Sequence, residues 1–195
     1  AGAPSQATID LGADARAALE VPLTGVEVGN GQLTIRLAHE EGMHLDVASG
    51  GEMAIALAAG VPADRLVLHG NNKSDEELMG AREAGVGRIV VDSFDELDRL
   101  DRLHAADGLV PKVLLRVTPG VEAHTHEFVM TGQDDSKFGF GLALGDAARA
   151  VERGRASAAV ELVGIHAHIG SQVFVAGFYE QAVEASHVFN LLQAR

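Results

Sequence analysis

Apolar, strand-like runs recur in this chain at a nearly fixed interval, and that interval limits the folds open to it. They begin near His44 ("HLDVAS"), Leu66 ("LVLHG"), Arg88 ("RIVVDS") and Lys112 ("KVLLRV"), so their starts lie 22, 22 and 24 residues apart. A further run, "VELVGIHAHIG", begins at Val160, two such intervals on, and the segment from Val26 fits as an earlier member. Between the runs lie helical patterns: "GEMAIALAAG", "SDEELMGAREAG", "DELDRLDRLHAAD", "DAARAVERG" and "FYEQAVEASHVFNLLQ". Ser74 ahead of Asp75, Glu76 and Glu77 predicts an N-cap with acids in the first turn, and Gly60 and Gly85 predict helix ends. Strands apolar on both faces that alternate with helices require a parallel sheet with helical crossovers.

Two architectures share such a period. Leucine-rich repeats need a fixed ladder of leucine and asparagine, which is missing. A (β/α)8 barrel of the TIM type instead gathers polar residues at the C-terminal strand ends. Those positions hold Asp46 and Ser49, His69 and Asn71, Asp92 and Ser93, Arg116, and then His166 and His168. Six strands are counted, from Val26, His44, Leu66, Arg88, Lys112 and Val160, two short of a closed barrel. The predicted domains are a lead-in over 1–24 and a partial barrel over 25–195.

A chain of 195 residues is most simply one domain. Its formal charge of −13 leaves no broad basic face for a nucleic-acid backbone. No cysteine is present, which excludes disulfides and thiolate metal sites and fits a reducing cytoplasm. No apolar run approaches the ~18–20 residues of a membrane span. The first residue is not methionine, which fits a processed, engineered or partial product.

Several short motifs carry candidate chemistry. "HAHIGSQ" places His166 and His168 on one face of a strand, and an HxH pair of this kind is one that metal-dependent barrel hydrolases use. "EAHTHE", Glu122 to Glu127, could add ligands, but no aspartate follows on a later strand, and no metal site is assigned. Gly170 and Ser171 offer a backbone N–H and a hydroxyl suited to one phosphate oxygen, with His168 beneath a planar ring. In "LDVASGGE", Asp46 falls inside a buried strand and needs a partner; Arg116 is the candidate, and a purely structural ion pair is the plain alternative. Glu52 starts the next helix. "SKFGF" reads as a turn, closing a long irregular piece from Thr118 to Gly141 that predicts a lid or an interface segment.

In their order, "LDVASGGE", "LHGNNKSDEEL", "GVGRIVVDSFDEL", "LLRVTPGVEAHTHEF", "SKFGFGL" and "LVGIHAHIGSQ" resemble the pyridoxal-phosphate barrel of the fold-type III amino-acid decarboxylases, in its diaminopimelate branch. The resemblance implies the cofactor pyridoxal 5'-phosphate, an amino-acid substrate, and decarboxylation of meso-diaminopimelate to L-lysine by a cytoplasmic homodimer. It implies that His168 stacks on the pyridine ring and Ser171 meets the phosphate. Asp46 and Arg116 would form the polar pair near the ring, Glu52 an active-site acid, and Lys137 a salt bridge across the dimer interface.

The chain departs from that family at one decisive place. Aligned back from Gly42 without gaps, "RLAHEEG" matches a family helix and Glu27 falls where the Schiff-base lysine belongs. A carboxylate cannot form that bond. The only lysines are Lys73, Lys112 and Lys137, of which Lys73 is the sole stand-in. The family's glycine-rich phosphate loop, last two barrel strands and C-terminal β-domain have no counterpart. The resemblance therefore implies a decarboxylase barrel that is inactive as this chain alone. A non-catalytic binding barrel is the alternative, and a metal-dependent hydrolase the third reading.

Overall fold

The computed structural model describes residues 43–119 and 138–169, together with the backbone of 5–9 and 19–23. The strand expected from Val26, Glu27, most of the long loop, Lys137, Gly170, Ser171 and the last expected helix lie outside the described residues.

In chain order the elements are β1 (Ser5–Ile9), β2 (Leu19–Leu23), β3 (Leu45–Val47), α1 (Gly50–Ala58), β4 (Leu66–Leu68), α2 (Asp75–Ala84) and β5 (Arg88–Val91). There follow α3 (Phe94–Asp107), β6 (Lys112–Thr118), β7 (Phe140–Gly141), α4 (Asp146–Ala156) and β8 (Glu161–His166). The lead-in, left without an assignment by its sequence, forms the antiparallel pair β1–β2. The remaining six strands make one parallel sheet. The order runs β3, β4, β5, β6, with β6 paired along Lys112–Arg116 to β8 and at Val117 and Thr118 to β7. "SKFGF" is thus more than a turn: its Phe140 and Gly141 form a strand whose partners lie more than twenty residues back.

Three of the four described α-helices start where a serine side chain caps them. Ser49, Ser74 and Ser93 accept hydrogen bonds from the N–H groups of Glu52, Glu77 and Glu96. Ser74 and Glu77 complete a reciprocal capping box, and Gly85 ends α2 in the left-handed conformation at φ 73°. The core lies between sheet and helices. Leu66, Leu68, Ile89, Val91, Val113, Leu115 and Val117 of the strands pack on Leu78, Ala81, Leu97, Leu100, Ala147, Ala150 and Val151 of the helices. Small helix residues let the layers approach closely: a methyl group on Gly154 would sit 3.3 Å from Leu162. The opposite face of each strand is left to line the inside of the sheet's curve, and every parallel strand delivers its C-terminal end to the same rim.

Candidate active site

The rim gathers charged and aromatic groups from several strands. Asp46 sits in β3, His69 one residue past β4, Asp92 one past β5, Arg116 in β6, and His166 ends β8 with His168 two residues on. His69 and His166 meet edge to face, with 5.0 Å between ring centroids and 71° between planes. Since β4 and β8 are not sheet neighbours, that contact spans the hollow rather than a ladder. Asp46, His69, Arg116 and His168 all act electrostatically on His166. Five of the expected rim residues thus share one neighbourhood.

The expected pair of Asp46 with Arg116 does not form. The Asp46 side chain is 76% exposed and its carboxylate lies 3.2 Å from His69 Nε2. The Arg116 guanidinium lies 3.6 Å from the buried Asp92 carboxylate instead. Sheet order explains the exchange: each charge takes the partner offered by the adjacent strand, whereas β3 and β6 are separated by two strands. Burial pulls the Arg116 pKa down, and Asp92 opposes it. Ser49 and Ser93, counted at the rim by sequence, are spent as helix caps. Glu52 turns back on its own loop, where its carboxylate accepts from Ala48 N–H at 2.7 Å.

Around Arg116 the "SKFGF" segment is held by three groups. Thr118 Oγ1 donates to the Phe138 carbonyl at 2.6 Å, and Gly139 N–H donates to Asp92 Oδ2 at 3.0 Å. The Arg116 guanidinium stands over the Phe138 ring, 4.5 Å from its centroid. Gly139 has φ +74°, and a Cβ there would lie 2.7 Å from the Arg116 carbonyl oxygen, so this position requires glycine.

Burial pushes the His166 pKa down to about 4, with His69, Arg116 and His168 adding to the effect and Asp46 opposing it. The ring is therefore neutral at pH 7. Its buried Nδ1 has no hydrogen-bond partner among the described residues, and neither has His69 Nε2, whose contact with Asp46 is an ion contact only. Half-buried His168 is shifted in the same direction, first by burial and then by Arg116 and His69. The rim therefore offers flat ring faces, two buried ring nitrogens without a hydrogen-bond partner among the described residues, and one half-buried guanidinium. That set suits a planar, anionic, heteroaromatic ligand better than a metal. Among the described residues no cluster of three or more His, Asp or Glu side chains could hold a metal ion.

Lys73, the expected stand-in for the Schiff-base lysine, is held in the core. It is 2% exposed; its ammonium donates to the Gly70 carbonyl at 2.5 Å and the Val90 carbonyl at 2.8 Å, and lies 2.9 Å from Glu96 Oε1. Glu96 is fully buried; burial raises its pKa, and Lys73 opposes that shift. Sequence reading gave Glu96 no role. Only its spacing three residues after the Ser93 cap hinted that its side chain is placed with care.

A family model described as pyridoxal-dependent decarboxylase, pyridoxal binding domain, matches residues 25–194. The diaminopimelate decarboxylase of Bacillus subtilis is 56% identical over 145 residues, covering 74% of this chain and 33% of that protein. The Mycobacterium tuberculosis enzyme of the same name is 52% identical over 158 residues, covering 81% and 35%. The chain thus spans about a third of the length of these relatives. Among solved structures, diaminopimelate decarboxylase from Helicobacter pylori complexed with L-lysine superposes with a TM-score of 0.75 at 27% identity, covering 84% of this chain and 42% of that one. Diaminopimelate decarboxylase from M. jannaschii in co-complex with L-lysine gives a TM-score of 0.74 at 30% identity, covering 85% of this chain and 39% of that one.

Proposed function

This chain belongs to the pyridoxal-dependent decarboxylases, matching their pyridoxal-binding domain, and on that premise we propose that it is the cofactor-holding barrel portion of a diaminopimelate decarboxylase. The substrate would be meso-diaminopimelate and the product L-lysine. The single observation that carries this reading is the convergence of Asp46, His69, Arg116, His166 and His168 at one rim, in a chain about half identical to enzymes of that name.

Pyridoxal phosphate, when bound, supplies the electron sink that makes loss of carbon dioxide from an amino acid feasible. This chain's residues would hold it by contact. His168 presents a ring face for stacking, and Ser171 a hydroxyl for the phosphate. Arg116, fixed by Asp92 and Phe138, supplies a localised positive charge. His166 stays neutral at pH 7 and offers Nδ1 as a hydrogen-bonding atom without placing a second full charge beside Arg116. His69 steadies the Asp46 carboxylate, which is otherwise open to solvent.

Covalent attachment does not fit the chain in the same way. Lys73 is locked in the core, Lys112 begins β6 and so lies at the opposite end of that strand from the rim, and Glu27 stands at the position that the family fills with lysine. The proposed state of this chain alone is therefore non-covalent binding without turnover. A binding barrel that never turned over is the second reading, and the locked Lys73 is what favours it. A homodimer with Lys137 at its interface, working in the cytoplasm, completes the proposal.

Adding pyridoxal phosphate and then borohydride tests these points together. The wild-type chain should bind the cofactor reversibly, with no site-specific mass gain on Lys73. Glu27→Lys should gain a reduced adduct mapped to position 27. A folded Glu27→Lys variant that gains none would show the register to be wrong, and a wild-type adduct at Lys73 would overturn the assignment of that lysine.

A further inference from the structure

Opposite the rim, the N-terminal ends of the strands carry a cleft of about 370 Å³, within the ~300–1,000 Å³ usual for small-molecule sites. Its walls are fixed. Gly87 N–H donates to the Ala63 carbonyl at 2.9 Å, and a Cβ on Gly87 would fall 2.1 Å from the Asp64 carbonyl oxygen, so only glycine lets these two loops touch. Arg82 grips Asp107 through both terminal nitrogens, at 2.9 and 2.5 Å, and donates to the Leu109 carbonyl at 3.0 Å.

The polar groups lining this cleft are largely unspent. Arg82 Nε is buried with no hydrogen-bond partner among the described residues. Lys112 and Asp64 have no ion-pair partner among them either, and the Arg88 guanidinium meets only His44 Nδ1, at 3.4 Å. Since Asp107 neutralises Arg82, the remaining side chains give two cations against one carboxylate, a local positive excess in a chain of formal charge −13. Beside them Leu109 and Val110 are 38% and 47% exposed, an apolar surface at the mouth of a charged cleft.

We propose that this cleft is a second binding site, for a free α-amino acid with an apolar side chain. Arg88 and Lys112 take the carboxylate, and buried Arg82 holds the wall behind them. Asp64 takes the ammonium, and the side chain lies on Leu109 and Val110. A simple anion would leave Asp64 as a repelling neighbour, and a simple cation would leave two; a zwitterion uses all of them. The site is independent of cofactor chemistry at the other rim.

The test is a titration of the ¹⁵N-labelled 195-residue chain with L-leucine, read by amide shifts. Saturable shifts should centre on Gly85, Gly87, Arg88 and Val110. Affinity should fall about tenfold or more in Arg88→Gln and in Asp64→Asn, the loss expected for one charge-assisted contact. Lys112→Gln provides the same reading should Arg88→Gln fail to fold. Leucinamide and 4-methylpentanoate, each lacking one charge, should bind more weakly than leucine. The absence of saturation by about 10 mM would be too weak for a built site and would overturn the proposal. So would shifts centred on His69 and His166, or equal binding of 4-methylpentanoate.

Discussion

His69 and His166 touch edge to face across the hollow of the sheet, 5.0 Å between ring centroids, although their strands are not neighbours. The contact joins two strands that share no ladder, and His69 helps hold the His166 pKa down. His166 and His168 both lie within electrostatic reach of Arg116, and together they line a wall that resists positive charge.

The first prediction concerns that resistance. The His166 pKa is about 4 in the folded chain against an ordinary 6.5. Above pH 6.5 the ring is neutral folded or unfolded, and pH has no leverage through it. Between about 6.5 and about 4 the unfolded chain takes up a proton that the folded chain refuses, so stability should fall with falling pH. NMR titration of the imidazole carbons should place His166 well below the other histidines. His69→Gln, which removes a neighbouring charge, should move that midpoint upward; an unchanged midpoint would mean the rings are not coupled.

Glu77 joins two helix starts, its carboxylate accepting from Gly50 N–H at 2.7 Å and from Ser74 N–H at 2.9 Å. The Gly50 and Ser74 bonds hold its pKa below the ordinary 4.5. Its stabilising contribution is therefore complete above that value and is lost as pH falls through the lowered one. Glu77→Gln should cost about 1 kcal/mol, the scale of a partly solvated charge-assisted hydrogen bond. Urea unfolding at pH 7 measures it, and the wild-type advantage should shrink in acid.

Lys73 and Glu96 are a buried pair, so breaking one side should be worse than removing both. Lys73→Met leaves Glu96 without its cation and should cost about 3–5 kcal/mol. The double variant Lys73→Met, Glu96→Leu should recover most of that loss. Denaturant midpoints of the two singles and the double form the cycle, and simple additivity would show that the pair is not coupled.

Gly139→Ala sets a Cβ 2.7 Å from the Arg116 carbonyl oxygen at a positive φ. A destabilisation of about 1–3 kcal/mol follows from the forced backbone conformation. Because Phe138 rests on Arg116, the same change should weaken reversible pyridoxal phosphate binding, measured by the cofactor's absorbance or fluorescence on titration.

Much of the fold was legible before any coordinates, because the relevant signals are local. The run starting at Arg88 is a strand, Ser74 opens α2 and Gly85 closes it, each fixed by its own side chain and near neighbours. The rim residues Asp46, His69, Arg116, His166 and His168 were also legible, since the end of a parallel strand is read from where its apolar run stops. Partnerships were not. Asp46 goes to His69 and Arg116 to Asp92 because sheet order, a non-local property, decides which charges are adjacent. For the same reason Phe140 and Gly141 looked like a turn, when a strand more than twenty residues back makes them a strand. Lys73 was singled out only as a stand-in for the Schiff-base lysine and Glu96, 23 residues on, not at all; only the folded core reveals them as one buried unit.

β6 meets three partners: β5 through Val113 to Leu115, β8 through Lys112 to Arg116, and β7 at Val117 and Thr118. No opening confined to one edge of the molecule can free its amides. Val113 and Leu115, fully excluded from solvent, should be among the last amides of the described residues to trade for deuterium, at a rate set by global unfolding. The charge of Arg116 is thereby carried on a strand that, among the described residues, breathes least.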